Sequence, residues 1–205
     1  MKTPLTFLAF ISLGSASADP VPAVEAKLLL TAPAEGWDIF FGGCSWYCGA
    51  PAIRVSASSF LTERDGLKHP ANQAHDRSMA KVWSEGVEGN GIGESLTFTF
   101  QTKQKDTVDL GVTSCAIGIG HQGSEKLFRQ NGRPKVIELS VDGVPTSRLQ
   151  LKDVMGLQRF EISKLALERP SEHTITLKIV DIYAGSKYED TCIAEVYFQG
   201  TGQMH

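Results

Sequence analysis

Short runs of alternating apolar and polar residues, separated by Gly, Pro, Asn and Asp, recur along this chain, and almost nothing in it repeats at helical spacing. Alternation with period two places every second side chain on one face, as a half-buried strand requires. Residues 26–31 and 53–60 form two such runs. Leu96, Phe98 and Phe100 form another, as do Val108, Leu110 and Val112. Ile137, Leu139 and Val141 lead to Asp142-Gly143, a hairpin-turn signal. Leu149 and Leu151 follow, then Phe160 and Ile162, and finally Ile175, Leu177 and Ile179 with Val196 and Phe198. Eight or more short strands in one unit predict an all-β, antiparallel β-sandwich with little helix. Its core should include Leu96, Phe98, Ile137, Leu139, Leu177, Ile179 and Phe198.

The N-terminal residues read as a secretory signal over 1–18. Lys2 is followed by the apolar run Leu5–Leu13, and Ala16-Ser17-Ala18 suits cleavage before Asp19. Export to the periplasm or the medium is the expectation, with no membrane span. Residues 19–49 read as an N-terminal extension carrying a Cys44/Cys48 loop, and residues 50–205 as one sandwich domain. The formal net charge is −3, without a basic run. Nucleic acid and anionic lipid therefore lose their usual electrostatic support as partners.

Four cysteines (Cys44, Cys48, Cys115 and Cys192) in an exported chain point to two disulfides, with three pairings open. The expected pairing is Cys44–Cys48, eased by neighbouring glycines, and Cys115–Cys192. Their spacing does not suit a zinc site.

The loop between Tyr183 and Cys192 is long for a hairpin, and longer connections are more often functional. It holds Tyr188, Lys187, Glu189 and Asp190. Aromatic faces bind the apolar side of a sugar ring, while polar groups read its hydroxyls. Trp46 and Tyr47, between two cysteines in a Gly-flanked loop, suit that role, and equally a small disulfide knot over a sheet edge. Arg133 opens a strand after an Asn-Gly turn, where it could grip a ligand or cross-link to Asp190. Trp83 reads as a plug for the sandwich end. No nucleophile elbow, metalloprotease helix or phosphate loop is present. A pair of hydrolytic carboxylates cannot be read from sequence alone.

Three segments carry a family resemblance: Ser58–Leu61 with HPANQAHD and WSEGVEGNGIGESLTF; Leu127–Gly143; and Val180–Gly200. Together they resemble a discoidin-like, galactose-binding-like jelly-roll domain, of the type attached to bacterial NAD glycohydrolases. The resemblance implies a jelly-roll sandwich and a non-catalytic, carbohydrate-binding role. Aromatic platforms with a guanidinium and a carboxylate are the chemistry a sugar needs, so the expected ligand face comprises Trp46, Tyr47, His121, Arg133, Tyr188 and Asp190; His121 stands where domains of the resembled type often carry tyrosine. The resemblance also implies a calcium loop over Asn72–Trp83, with Asp76 and Glu195 as carboxylate ligands. Lys81 stands where an oxygen donor belongs, so the expectation is no cofactor, with Lys81 bridging both carboxylates. An envelope protein-interaction module and an unrecognised hydrolase stay open as other readings.

Overall fold

The computed structural model of the chain describes residues 24–32, 52–103, 109–168 and 170–202. Two sheets face each other. The first half of the chain supplies β1 (Val24–Glu25), β2 (Leu28–Ala32), β3 (Ala52–Ala57), β4 (Trp83–Ser84) and β5 (Ser95–Gln101). β6 (Gly111–Ile119), β7 (Arg133–Val141), β8 (Val144–Gln150) and β9 (Leu157–Ala166) follow. β10 (Glu172–Tyr183) and β11 (Cys192–Thr201) close the fold. One sheet runs β1-β8-β7-β10-β5-β3 and the other β2-β9-β6-β11-β4. Each pairing is antiparallel except β1 with β8. The antiparallel sandwich expected from alternation is what forms, and the segment around residues 24–32 adds an edge strand to each sheet.

The alternation decides what lies between the sheets. Leu96, Phe98, Ile137, Leu139, Leu177, Ile179 and Phe198 are all fully buried in one cluster. Phe198 meets Phe98 edge-on at 5.0 Å and Phe100 at 5.3 Å, a favoured geometry for ring quadrupoles. At the β7–β8 hairpin, Asp142 and Gly143 both take positive φ (48° and 80°), as a two-residue primed turn needs. Trp83 is fully buried and its indole N–H donates to Ser59 O at 2.9 Å. It plugs one end of the sandwich.

Among the described residues, two short helical pieces interrupt the strands. A 3-10 turn spans Ala71–His75. Helix α1 spans Glu125–Gln130, capped by Ser124, whose hydroxyl accepts the Leu127 N–H.

The expected Cys115–Cys192 bridge does not form. Cys115 pairs in register with Phe198, whereas Cys192 opens β11 opposite Ser84. Six residues of strand separate those positions, about 20 Å at ~3.3 Å per residue. A disulfide needs Cα atoms within about 7 Å. The two thiols sit in different apolar clusters and are free and buried. Burial pushes both to about 12. In the folded protein neither Cys115 nor Cys192 should take up iodoacetamide at pH 8. Both peptides should be labelled once denaturant is added, and peptide mapping checks this. Labelling in the native state would contradict their burial. Cys44 and Cys48 lie outside the described residues.

Candidate functional site

The strand directions gather one set of connections at one end of the sandwich. β3, β6 and β10 end there, while β5, β7 and β11 begin there. The connections are residues 58–70, 84–94, 120–132 and 184–191. Ala52, where β3 starts, pairs with Gln101 at the opposite end.

Hydrogen bonds between main chains fasten these loops to one another. The C-terminal carbonyls of a helix lack intrahelical partners. Here the closing loop supplies them: Ser186 N–H donates to Arg129 O, and the Lys187 and Tyr188 N–H groups donate to Gln130 O. Gly132 N–H donates to Asp190 O, and Cys192 N–H donates back to Gly132 O. The packing is tight enough that a Cβ on Gly185 would lie 2.3 Å from Tyr188 O and 2.5 Å from Gln130 O.

A cleft of about 620 Å³ opens between the loops. Val82 just before β4, Ser84 of β4 and Cys192 of β11 line it together with Leu61, Leu127 and the polar side chains of Glu63, Arg64, His69, His121, Asn131, Tyr188 and Asp190. Three of the residues expected at the ligand face, His121, Tyr188 and Asp190, therefore meet here. His121 follows Gly120, whose φ of +70° turns the chain sharply. Its Nδ1 accepts the Gly123 N–H at 3.2 Å, which leaves Nε2–H as the donor of the neutral ring. Burial, and then the nearby His69, lower its pKa, so the neutral ring holds at neutral pH. His69 Nε2 lies 2.7 Å from Glu63 Oε1. Burial raises the Asp190 carboxyl, and Glu189 and Glu63 push in the same direction. The cleft thus presents an imidazole donor, carboxylate acceptors, an amide and a phenol at the edge of apolar side chains.

Arg133 is not part of that surface. Its side chain is buried, and the fork of Nε and Nη2 grips Asp153 at 2.6 and 3.0 Å. Nη1 donates to the carbonyls of Phe128 and Asn131, and the guanidinium lies 5.1 Å from the Phe128 ring centre. The expected Arg133–Asp190 cross-link is replaced by one to Asp153. The reason is position: the first residue of a central strand points into the loop base, where only a fully bonded guanidinium is tolerated. Trp46 and Tyr47 lie outside the described residues. Glu63, Arg64, His69 and Asn131 were not singled out as site residues by sequence reasoning. His69 falls in a segment without alternation, and only the return of residues 58–70 over β4 brings it to the cleft.

The calcium implied for the Asn72–Trp83 loop does not suit the side-chain donors present. Asp76 Oδ1 accepts the Ser78 N–H, and Oδ2 lies 3.3 Å from Lys81 Nζ. Glu195 Oε2 accepts the Arg77 N–H at 2.8 Å. Calcium wants about six to eight oxygens. Here hydrogen-bond donors and an ammonium already face the carboxylates. Among the described residues no group of three His, Cys, Asp or Glu side chains is arranged to hold a metal ion. Lys81 reaches Asp76 alone and is largely exposed. The expected double bridge to Glu195 is thus half made, the main chain at Arg77 taking the other carboxylate.

On the far side of Tyr188 lies a second groove, of about 450 Å³. Its walls come from residues 87–92 and from residues 182–189. A rib divides it from the cleft. Within that rib the buried Glu85 carboxylate accepts N–H groups from Thr191 at 3.1 Å and Val87 at 2.9 Å. Thr191 Oγ1 also donates to Asn90 O at 2.9 Å.

Comparison with known proteins places this geometry. No curated protein matches the chain. The CBM32-1 and CBM32-2 domains of Clostridium perfringens ZmpB, solved in complex with GalNAc, superpose with a TM-score of 0.55 at 11% identity, over 89% of this chain and 41% of that one. A structure of the same protein that includes its M60 catalytic domain gives 0.56 at 12% identity, over 92% of this chain and 17% of the other. The chain thus spans less than half the length of those structures, and at such identities the likeness is one of fold: the jelly roll of carbohydrate-binding modules. No helix among the described residues is long and apolar enough to cross a membrane. The family model described as the NAD glycohydrolase translocation F5/8 type C domain matches residues 46–199, most of the chain, and the chain belongs to that family.

Proposed function

We propose that the chain is an exported, non-catalytic module that binds a glycan in the cleft between His69, His121 and Asp190. The observation that carries this reading is the convergence of those side chains with Asn131 and Tyr188 in a cleft of about 620 Å³ at the loop end of the sandwich. Small-molecule sites have about that size and mix apolar walls with a few placed polar groups. The likeness in fold to ZmpB domains solved with GalNAc supports the same ligand class. The segment Leu5–Ala18 supports export. The Asn72–Trp83 loop does its work without calcium in this reading.

A glycan array with purified protein tests it, followed by titration calorimetry on the sugars that bind. His121→Ala and Asp190→Asn should each weaken binding by about 10–100-fold, the worth of one hydrogen bond to a charged or strongly polar group. The melting midpoints should stay near wild type, and the bound glycan should be recovered uncleaved. A wild-type protein that binds nothing on the array, or variants that bind as wild type does, would overturn the reading. Capture of an envelope protein through the same residues, with no sugar bound, would replace it.

A further inference from the structure

The second groove shares Tyr188 with the cleft, and its own composition is informative. Val87 and Ile92 are exposed apolar side chains on its rim, and Ile182 and Ala184 stand on the other wall. Between them run Gly89, Asn90 and Gly91, of which the exposed Asn90 offers its side-chain amide. The wall is built to hold its shape. Gly89 and Gly91 take φ of +101° and +69°, and a Cβ on Gly91 would lie 2.4 Å from Glu85 Cγ. Glu85 in turn ties Val87 to Thr191, so the groove and the cleft share one rigid rib.

Resting on the glycan-binding reading above, we infer that the ligand is an extended neutral oligosaccharide, its terminal ring in the cleft and its next ring across Tyr188 in the Val87–Ile92 groove. Three features select this occupant. Tyr188 lines both the groove and the cleft, so one chain that crosses the dividing rib at that side chain can lie in both. Apolar side chains beside the exposed Asn90 amide suit a pyranose, which has C–H faces and hydroxyl edges. The charge disfavours acidic sugars: Glu88 and Glu189 line the groove with no basic side chain among its described lining residues, and the Lys187 ammonium beside it is held on Tyr188 Oη at 2.7 Å. A uronic or sialic acid there would meet like charge.

Calorimetry on N-acetylgalactosamine and on neutral di- and trisaccharides that end in it decides the matter. A matched set ending in the best array sugar takes its place if the array selects another. For the wild type the trisaccharide should bind at least tenfold tighter than the monosaccharide. Ile92→Asp, on an exposed side chain outside the cleft, should abolish that gain and leave monosaccharide affinity unchanged. A disaccharide with a uronic acid at the second position should bind at least tenfold more weakly than its neutral counterpart. Glu88→Gln/Glu189→Gln should narrow that gap. If monosaccharide and trisaccharide bind within twofold of each other, the extended site is wrong while the cleft reading stands. The same holds if Ile92→Asp weakens both ligands alike. If no sugar binds the wild type, the cleft reading fails first and the extension falls with it.

Discussion

Arg133→Ala should lower the melting midpoint by ~6–12 °C, corresponding to about 3 kcal/mol in a domain of this size. The substitution removes the fork on Asp153 and strips the carbonyls of Phe128 and Asn131 of their donor. Asp153 is partly open to solvent, at 41% side-chain exposure, so water recovers some of the loss. The two carbonyls recover less, because the site is buried. Arg133→Lys should fall nearly as far. An ammonium cannot span both oxygens of Asp153 and also reach the loop carbonyls. Glycan binding should fail in both variants only as the loops loosen, and should return on cooling well below the midpoint. Thermal melts with calorimetry at two temperatures check this. A variant that melts as wild type does would show that Arg133 faces a ligand after all.

Glu195→Gln should raise stability at pH 8.5 by on the order of 4 kcal/mol, at about 1.4 kcal/mol for each tenfold change in proton affinity, and change it little near pH 4.5. Burial pushes the Glu195 carboxyl from its ordinary 4.5 up to about 8, with Asp76 contributing. Between those values the folded state holds a proton that the unfolded chain has released. Folding stability therefore falls as pH rises through that window and is level above about 8. His75, 3.8 Å from Glu195, works in the opposite sense: burial lowers it, and its contribution is lost as pH falls below 6.5. Glu85 and Asp190, both raised by burial, share the sign of Glu195. The slope between pH 6.5 and about 8 therefore belongs chiefly to Glu195, and glutamine there should remove it. Calcium and a chelator should leave the wild-type midpoint unchanged in the same series. Lys81→Thr should cost about 1 kcal/mol or less, because Lys81 is 63% exposed and pairs only with Asp76. A midpoint that drops on chelation would show that a metal, not a proton, neutralises this corner.

The fold was legible because its code is local. Period-two alternation at Leu96–Phe100 or Ile175–Ile179 fixes which face is buried whatever the partner strand. Asp142-Gly143 states its own turn. Helix α1 was not legible: six residues are too few for helical periodicity, although Ser124 and the Asn131-Gly132 pair mark its ends. At the site, residues of the closing loop were visible because an unusual loop announces itself. Glu63 and His69 were not, since their place depends on how the 58–70 segment returns across β4. Arg133 shows the converse difficulty. A guanidinium beside a turn reads the same whether it faces solvent or the loop base, and only three-dimensional packing separates the two. The cysteines erred for a related reason. An even count in an exported chain is evidence about compartment, and register alone decides which thiols can meet.

β11, the last described strand in the chain, lies inside its sheet, paired on one side with β6 and on the other with β4. A chain emerging from the ribosome, or threaded end-first through a pore, cannot complete the sandwich until residues near 200 are free. Until then β6 keeps an open edge, and the half-site on residues 184–191 has no β11 to anchor it. Closing so many contacts between distant residues is slow compared with forming helices or hairpins. The strand order thus gives the polypeptide an interval in which every earlier strand is free to form yet the sheet is still open. The cleft between the loops should be among the last parts of the molecule to take shape.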